Sequence, residues 1–195
     1  MRVVRVRNGE TAWSRAGRHT GRTDVPLLDE GARQRAAADL GERERPQPGP
    51  DQPGLARARE TCALAGFADQ AVIDPDLMEW DYGAYEGRRA VDIRVERPGW
   101  DLFTDGTPGG ETYADVAARV ERVMASFPAP ADGATADVAL FAHGHLLRVL
   151  AARWLELGPA VARALLLSPT TISVLGRDRG TPVVALWNDA SHLES

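Results

Sequence analysis

The run DVALFA at 137–142 is the strongest constraint on what this chain can fold into. A short, continuous apolar segment bounded by polar residues reads as a strand buried on both faces, typical of a parallel sheet. It leads into His143-Gly144-His145 and then a helical pattern over 146–157, LLRVLAARWLEL. A second segment, RVVRVR at 2–7, also reads as a strand, with Val3, Val4 and Val6 apolar. It too ends in polar residues, Arg7-Asn8-Gly9-Glu10-Thr11. Arg5 sits awkwardly if that strand is central and covered on both sides. In open α/β sheets ligands bind outside the carboxyl ends of the strands, so both clusters are candidate site segments.

Between these strands the pattern is largely helical. Ala32, Ala36 and Leu40 share one side of a helix expected over about 29–42, with Asp29 as its N-cap. The stretch PQPGPDQPG at 46–54 holds four prolines and two glycines, which neither a helix nor an interior strand tolerates. Helical character resumes near Leu55 and runs through Arg57, Thr61 and Leu64. LMEWDYGAYEG at 77–87 is a loop rich in aromatics and acids. Thr112 with Asp115 resembles a capping box, followed by Val116, Val120, Val123 and Phe127 on one face. TISVLG and PVVALW, joined by RDRG, predict a terminal hairpin. Strands alternating with helices predict one α/β domain over residues 1–195: a three-layer sandwich with a mostly parallel central sheet flanked by helices.

Composition narrows the chemistry. All 23 basic residues are arginine, and there is no lysine. A Schiff-base lysine and a Walker-A loop are therefore excluded, and any bound anion must be held by arginine, histidine or backbone N–H groups. Arginine suits phosphate because its rigid fork donates two parallel hydrogen bonds. A net charge of −5 with dispersed arginines argues against nucleic-acid binding. One cysteine, Cys62, excludes an intrachain disulfide and reads as inert core. Arg-rich alternation after Met1 and the lack of a long apolar run predict no secretory signal and no membrane span, hence a cytoplasmic protein.

The two strand-end clusters fall into a wider set: RNGETAWSRAGRHTGRTDVPLLDEG at 7–31, LARARET at 55–61, LMEWDYGAYEG at 77–87, GGET at 109–112 and FAHGH at 141–145. Together they resemble the histidine phosphatase, or phosphoglycerate mutase-like, superfamily from end to end. GRHTGRTD, EWDYGAYEG and WDLFTDGTPGGET are most similar to its broad-specificity acid phosphatase and sedoheptulose-bisphosphatase-like branch. The resemblance implies the histidine phosphatase fold, hydrolysis of small phosphomonoesters through a phosphohistidine, and no metal or other cofactor. By position it implies that Arg7 and Arg57 clamp the phosphoryl oxygens. Glu79 would protonate the leaving oxygen and then activate water, and His143 would steady the transferring group. Ser14, Thr20 and Gly21 would lie on a loop lining the pocket. His19 and His145 would stand at its rim or behind it, and Arg88 and Arg89 would either reach substrate or be solvated. The partner implied is a small phosphorylated substrate or ligand, with the oligomeric state, homo-oligomer included, left open.

Three departures accompany the resemblance. Position 8, where the family carries its nucleophilic histidine, is Asn8, and an amide nitrogen has no lone pair free to attack phosphorus. Arg5 occupies a place usually apolar. The family has a strand ending Ser-Pro before LARARET, where this chain has PQPGPDQPG, a switch suggestive of a local reading-frame change. Three functions follow from these residues: a phosphatase impaired at residue 8, a phosphoester-binding protein without catalysis, or a phosphomutase, which depends most on a stable phosphohistidine.

Overall fold

Strand β1, Val3–Arg7, is the centre of the sheet. On one edge it pairs in parallel with β2, Val138–Ala142, in the register Val3↔Val138 through Arg7↔Ala142. On the other edge it pairs antiparallel with β3, Ile172–Asp178, which pairs antiparallel in turn with β4, Thr181–Asp189. The chain was analysed as a computed structural model that describes residues 1–29, 56–128 and 137–193. Among these residues the sheet has the order β2-β1-β3-β4 and is mixed rather than mostly parallel. The antiparallel share comes from the C-terminal hairpin, which needs only a tight turn where a parallel neighbour needs a long crossover.

That turn is shorter than the RDRG loop expected. Asp178 pairs with Thr181, leaving Arg179 (φ 50°) and Gly180 (φ 90°) as the only unpaired residues. Two successive left-handed residues match the twist of the flanking strands, the geometry of a type I′ turn.

Helices cover both faces of the sheet, as the three-layer expectation required. They are α1 (Ala12–Arg15), α2 (Ala56–Leu64), α3 (Ala90–Glu96), α4 (Leu102–Asp105), α5 (Tyr113–Ala125), α6 (Gly144–Trp154) and α7 (Pro159–Ala164). Val3, Leu140 and Ala142 point into the main core with Val116, Val120, Leu146 and Leu150 of α5 and α6. Val4, Val6 and Phe141 alternate to the opposite face. There α2 packs against β2, and Phe67 just beyond α2 lies 5.9 Å from the Phe141 ring. The capping box at Thr112 and Asp115 forms as expected. Helix α6 starts two residues before the expected 146 and ends at Trp154 instead of 157, because Glu156 adopts φ 59° and Leu157 bonds back to the Ala152 carbonyl. Apart from Asp29, the helix expected over 29–42 lies outside the described residues, as does the 46–54 segment. No described helix is long and apolar enough to cross a membrane.

Arg5 is the exception in this core. It is 1% exposed. Its Nη1 donates to the Leu147 carbonyl at 2.8 Å, and its guanidinium lies 4.6 Å from the Trp187 ring. Nε and Nη2 have no protein partner among the described residues. Burial pushes the guanidinium down to about 9, so it remains charged at neutral pH. A buried charge with one carbonyl partner costs more in desolvation than it recovers. Replacing Arg5 with Met should therefore stabilise the fold by roughly 1–4 kcal/mol, read as a higher denaturant midpoint at unchanged slope. Arg179→Asn, which tolerates the left-handed region better, should add roughly 0.5 kcal/mol by the same measurement.

Candidate active site

The register that ends in Arg7↔Ala142 makes Asn8 and His143 the next residues out on adjacent parallel strands. Both are buried at the carboxyl edge, and the Asn8 N–H still donates to the Ala142 carbonyl at 2.8 Å. The Asn8 Nδ2 donates to the Gly9 carbonyl at 2.8 Å, which fixes the orientation of its amide. Its Oδ1 therefore faces His143 Nδ1, 3.1 Å away. An amide oxygen only accepts, so His143 must carry its proton on Nδ1, and Nε2 holds a lone pair. Nε2 is buried and has no partner among the described residues. Burial, followed by the positive charges of Arg57 and Arg7, lowers His143 to about 3, so the ring is neutral at ordinary pH. Gly9 is held from α2, where Thr61 Oγ1 accepts its N–H at 3.0 Å.

Glu79 ties the 77–87 loop to this edge. Helix α6 has His143 at its N-cap with no side-chain capping bond. The cap comes from a distant carboxylate instead. Glu79 Oε2 accepts from the His145 N–H at 3.0 Å, and Oε1 accepts from Leu146 N–H at 2.9 Å and from Trp80 N–H at 2.9 Å. Charge-assisted bonds at the positive end of a helix explain why an acid is stable while 7% exposed. Behind it, the Tyr82 hydroxyl lies 2.6 Å from His145 Nδ1. Burial raises the tyrosine and lowers the histidine, so a neutral phenol meets a neutral imidazole. His19 stacks on Tyr82 at 4.6 Å between centroids, and burial lowers it to about 4.

The positive charge at this edge is arginine alone, as the lysine-free sequence requires. Arg7 donates from Nη1 to the Leu167 carbonyl and has an unpartnered Nε. It lies against the start of α6, where a Cβ on Gly144 would stand 3.2 Å from the guanidinium. Arg57, buried on α2, donates to the carbonyls of Thr20 (2.9 Å), Gly21 (3.0 Å) and Thr23 (3.1 Å). It thus pins the 20–23 loop beside the cleft. Glu86 holds the same loop from the other side by accepting the N–H groups of Gly21 and Thr23. Burial lowers both Arg7 and Arg57.

These groups line one cleft of about 190 Å³. Arg7, Asn8, Arg57, Glu79, His143, Ser14 and Thr20 all border it. Ser14 also spends its hydroxyl on the Thr11 cap of α1. Gly21 stands behind the cleft wall, where a Cβ would come within 2.6 Å of the Trp80 carbonyl. His19 and His145 border the cleft too, whereas Arg88 and Arg89 pair with Glu96 and Asp92 away from it. Sequence reading passed over Arg18, Arg148 and Tyr82 as wall residues. Arg148 follows His145 by three residues, one helical turn, which is the signal that could have found it. Among the described residues no cluster of three or more His, Cys, Asp or Glu is arranged to hold a metal ion. Two close arginines, a neutral imidazole with a free lone pair and a positioned carboxylate can bind a phosphoryl group and move a proton.

Comparison with known proteins agrees with this geometry. The profile of the histidine phosphatase superfamily (branch 1) matches residues 3–190. An acid phosphatase of Mycobacterium tuberculosis is 36% identical over 193 residues, covering 98% of this chain and 94% of that protein. A sedoheptulose 1,7-bisphosphatase of Saccharomyces cerevisiae is 36% identical over 189 residues, covering 80% of this chain and 68% of that protein. The solved structure of a Mycobacterium tuberculosis open-reading-frame product superimposes with a TM-score of 0.82 at 34% identity over 96% of each chain. With the strand-end cleft, the arginine pair and the match over nearly its whole length, this chain belongs to the histidine phosphatase superfamily.

Proposed function

We propose that this protein binds small phosphomonoesters, sugar phosphates among them, in the cleft between Arg7, Arg57 and His143, and hydrolyses them slowly. The single observation that carries the reading is the juxtaposition of Asn8, His143 and Glu79 at one sheet edge beside buried arginines. The arginines would neutralise the phosphoryl oxygens, and Glu79 would give a proton to the leaving oxygen and later take one from water. The acid phosphatase and bisphosphatase relatives support this substrate class, and a cytosolic setting is part of the reading. The family's route through a histidine at position 8 is closed, because Asn8 offers no nucleophilic lone pair. Loss of a nucleophile leaves acceleration on the order of 10³–10⁴ over water from binding and electrostatics in other hydrolases. The same observation favours one second reading, a phosphoester-binding protein in which the clamp outlasts the chemistry. A phosphomutase, which needs a stable phosphohistidine, is disfavoured most.

Assay of the protein and its Asn8→His variant on p-nitrophenyl phosphate and a sugar bisphosphate separates these readings. We expect kcat to rise by on the order of 10² or more in the variant, with KM changed little. Full activity in the unmodified protein refutes the impairment, and inactivity of both leaves the binding reading. Isothermal titration with orthovanadate should show binding to the unmodified protein, weakened about tenfold or more by Arg7→Ala, the loss of a charge-assisted pair.

A further inference from the structure

Three features of the cleft remain unused once residue 8 is set aside as nucleophile. His143 Nε2 is a buried polar atom with no partner among the described residues, on a residue 1% exposed. Buried polar groups are nearly always satisfied, and His143 is one of the residues lining the cleft, so its unsatisfied nitrogen marks a place where a ligand atom fits. The Asn8 side chain is fully oriented, with Nδ2 on the Gly9 carbonyl and Oδ1 on His143 Nδ1. The Arg7 Nε likewise has no partner among the described residues.

From these contacts we infer that His143 Nε2 is the phosphoryl acceptor of this chain and that Asn8 is its positioning residue. The inference rests on the phosphoester reading of the cleft and names the route of the turnover that remains. A histidine attacks phosphorus through a nitrogen lone pair, which requires the neutral ring with its proton on the other nitrogen. The Asn8 amide imposes that tautomer, because its orientation leaves only an acceptor facing Nδ1. The neutral state holds across ordinary pH, since burial and the charges of Arg57, Arg7 and Arg119 outweigh the opposing pull of Glu79.

The step balances on residues already in the cleft. The Nε2 lone pair forms a bond to phosphorus, and the bond from phosphorus to the ester oxygen breaks with its electron pair going to that oxygen. Glu79 enters the step in its carboxylic acid form, gives its proton to the leaving oxygen, and becomes the carboxylate that the three backbone N–H groups hold. The ring now carries positive charge, and its Nδ1–H bond to Asn8 Oδ1 strengthens, as a charge-assisted bond does. Water then attacks phosphorus and passes a proton to Glu79. The phosphorus–nitrogen bond breaks, its pair returns to Nε2, and orthophosphate leaves. Nδ1 keeps its proton throughout. Asn8 therefore has a defined part that a histidine at position 8 could fill only in one tautomer.

The experiment is peptide mapping of the full-length protein after turnover of p-nitrophenyl phosphate and quenching in base, which preserves a phosphorus–nitrogen bond that acid destroys. We expect one phosphoryl group on the peptide that contains His143, present in Asn8→Asp, which keeps an acceptor oxygen, and much reduced in Asn8→Leu. His143→Ala and His143→Gln should each lower kcat by on the order of 10² or more, and Asn8→Leu should lower kcat rather than raise KM. Thermal melting of each variant checks folding, and mapping of the unmodified protein decides the matter without any variant. A phosphoryl group on another residue, or turnover with inversion at phosphorus, overturns the inference. Orthovanadate binding without any adduct overturns it while sparing the reading of the cleft. Absence of binding overturns both.

Discussion

The parallel pairing of β1 with β2 is the constraint on which the rest of the site depends. Its register runs to Arg7↔Ala142, and the next residue on each strand is Asn8 and His143. A slip of one residue would turn every side chain to the opposite face. Val3 would leave the core shared with α5 and α6, and His143 would no longer face Asn8. The apolar alternation that stabilises the sheet is thus the same feature that aligns the two site residues, so stability and geometry are fixed together.

A second constraint acts through Glu79. Its carboxylate closes the N-terminus of α6, a helix whose own N-cap, His143, supplies no side-chain bond. One acid thereby fixes the 77–87 loop, orients the backbone beside His143 and borders the cleft. Arg57 has a comparable double duty, holding three loop carbonyls while bordering the cleft from α2. Groups with both structural and chemical partners are pre-positioned, which suits phosphoryl transfer, where catalysis is mainly placement and charge neutralisation. Arg5 illustrates the contrary case. It is as deeply buried as the site residues, yet its charge meets only the Leu147 carbonyl and the Trp187 ring, with no acidic partner among the described residues.

Much of this was legible in the sequence because it is local. The run at 137–142 and the Thr112–Asp115 cap follow from periodicity and capping chemistry, and both form; yet the strand is not buried on both faces as read, since it lies at the edge of the described sheet with Ala139 exposed. The motifs at 7–31, 77–87 and 141–145 pointed to one family, and the two strand-end clusters to one sheet edge. Among the described residues the sheet is mixed rather than mostly parallel, because strand direction depends on which segments pair, and the alternation of TISVLG and PVVALW carries no record of their partner. The end of α6 was misplaced because Glu156, an ordinary helix former, adopts a left-handed conformation that composition does not announce. Arg148 and Tyr82 were passed over as wall residues, since their place follows from packing against Phe103 and His145.

By itself, the sequence determined that any anion here is held by arginine, histidine or backbone N–H groups and never by lysine, that residue 8 is an amide without a nucleophilic lone pair, and that two strand ends carry the polar chemistry. These are statements about which functional groups exist, and a side chain's chemistry is local to its residue. Only the tertiary structure decided which nitrogen of His143 bears the proton, that Glu79 caps α6, and that Arg57 is bound to the 20–23 loop. Each of these turns on a hydrogen bond of about 3 Å between residues far apart in the chain, and no local pattern encodes such a distance.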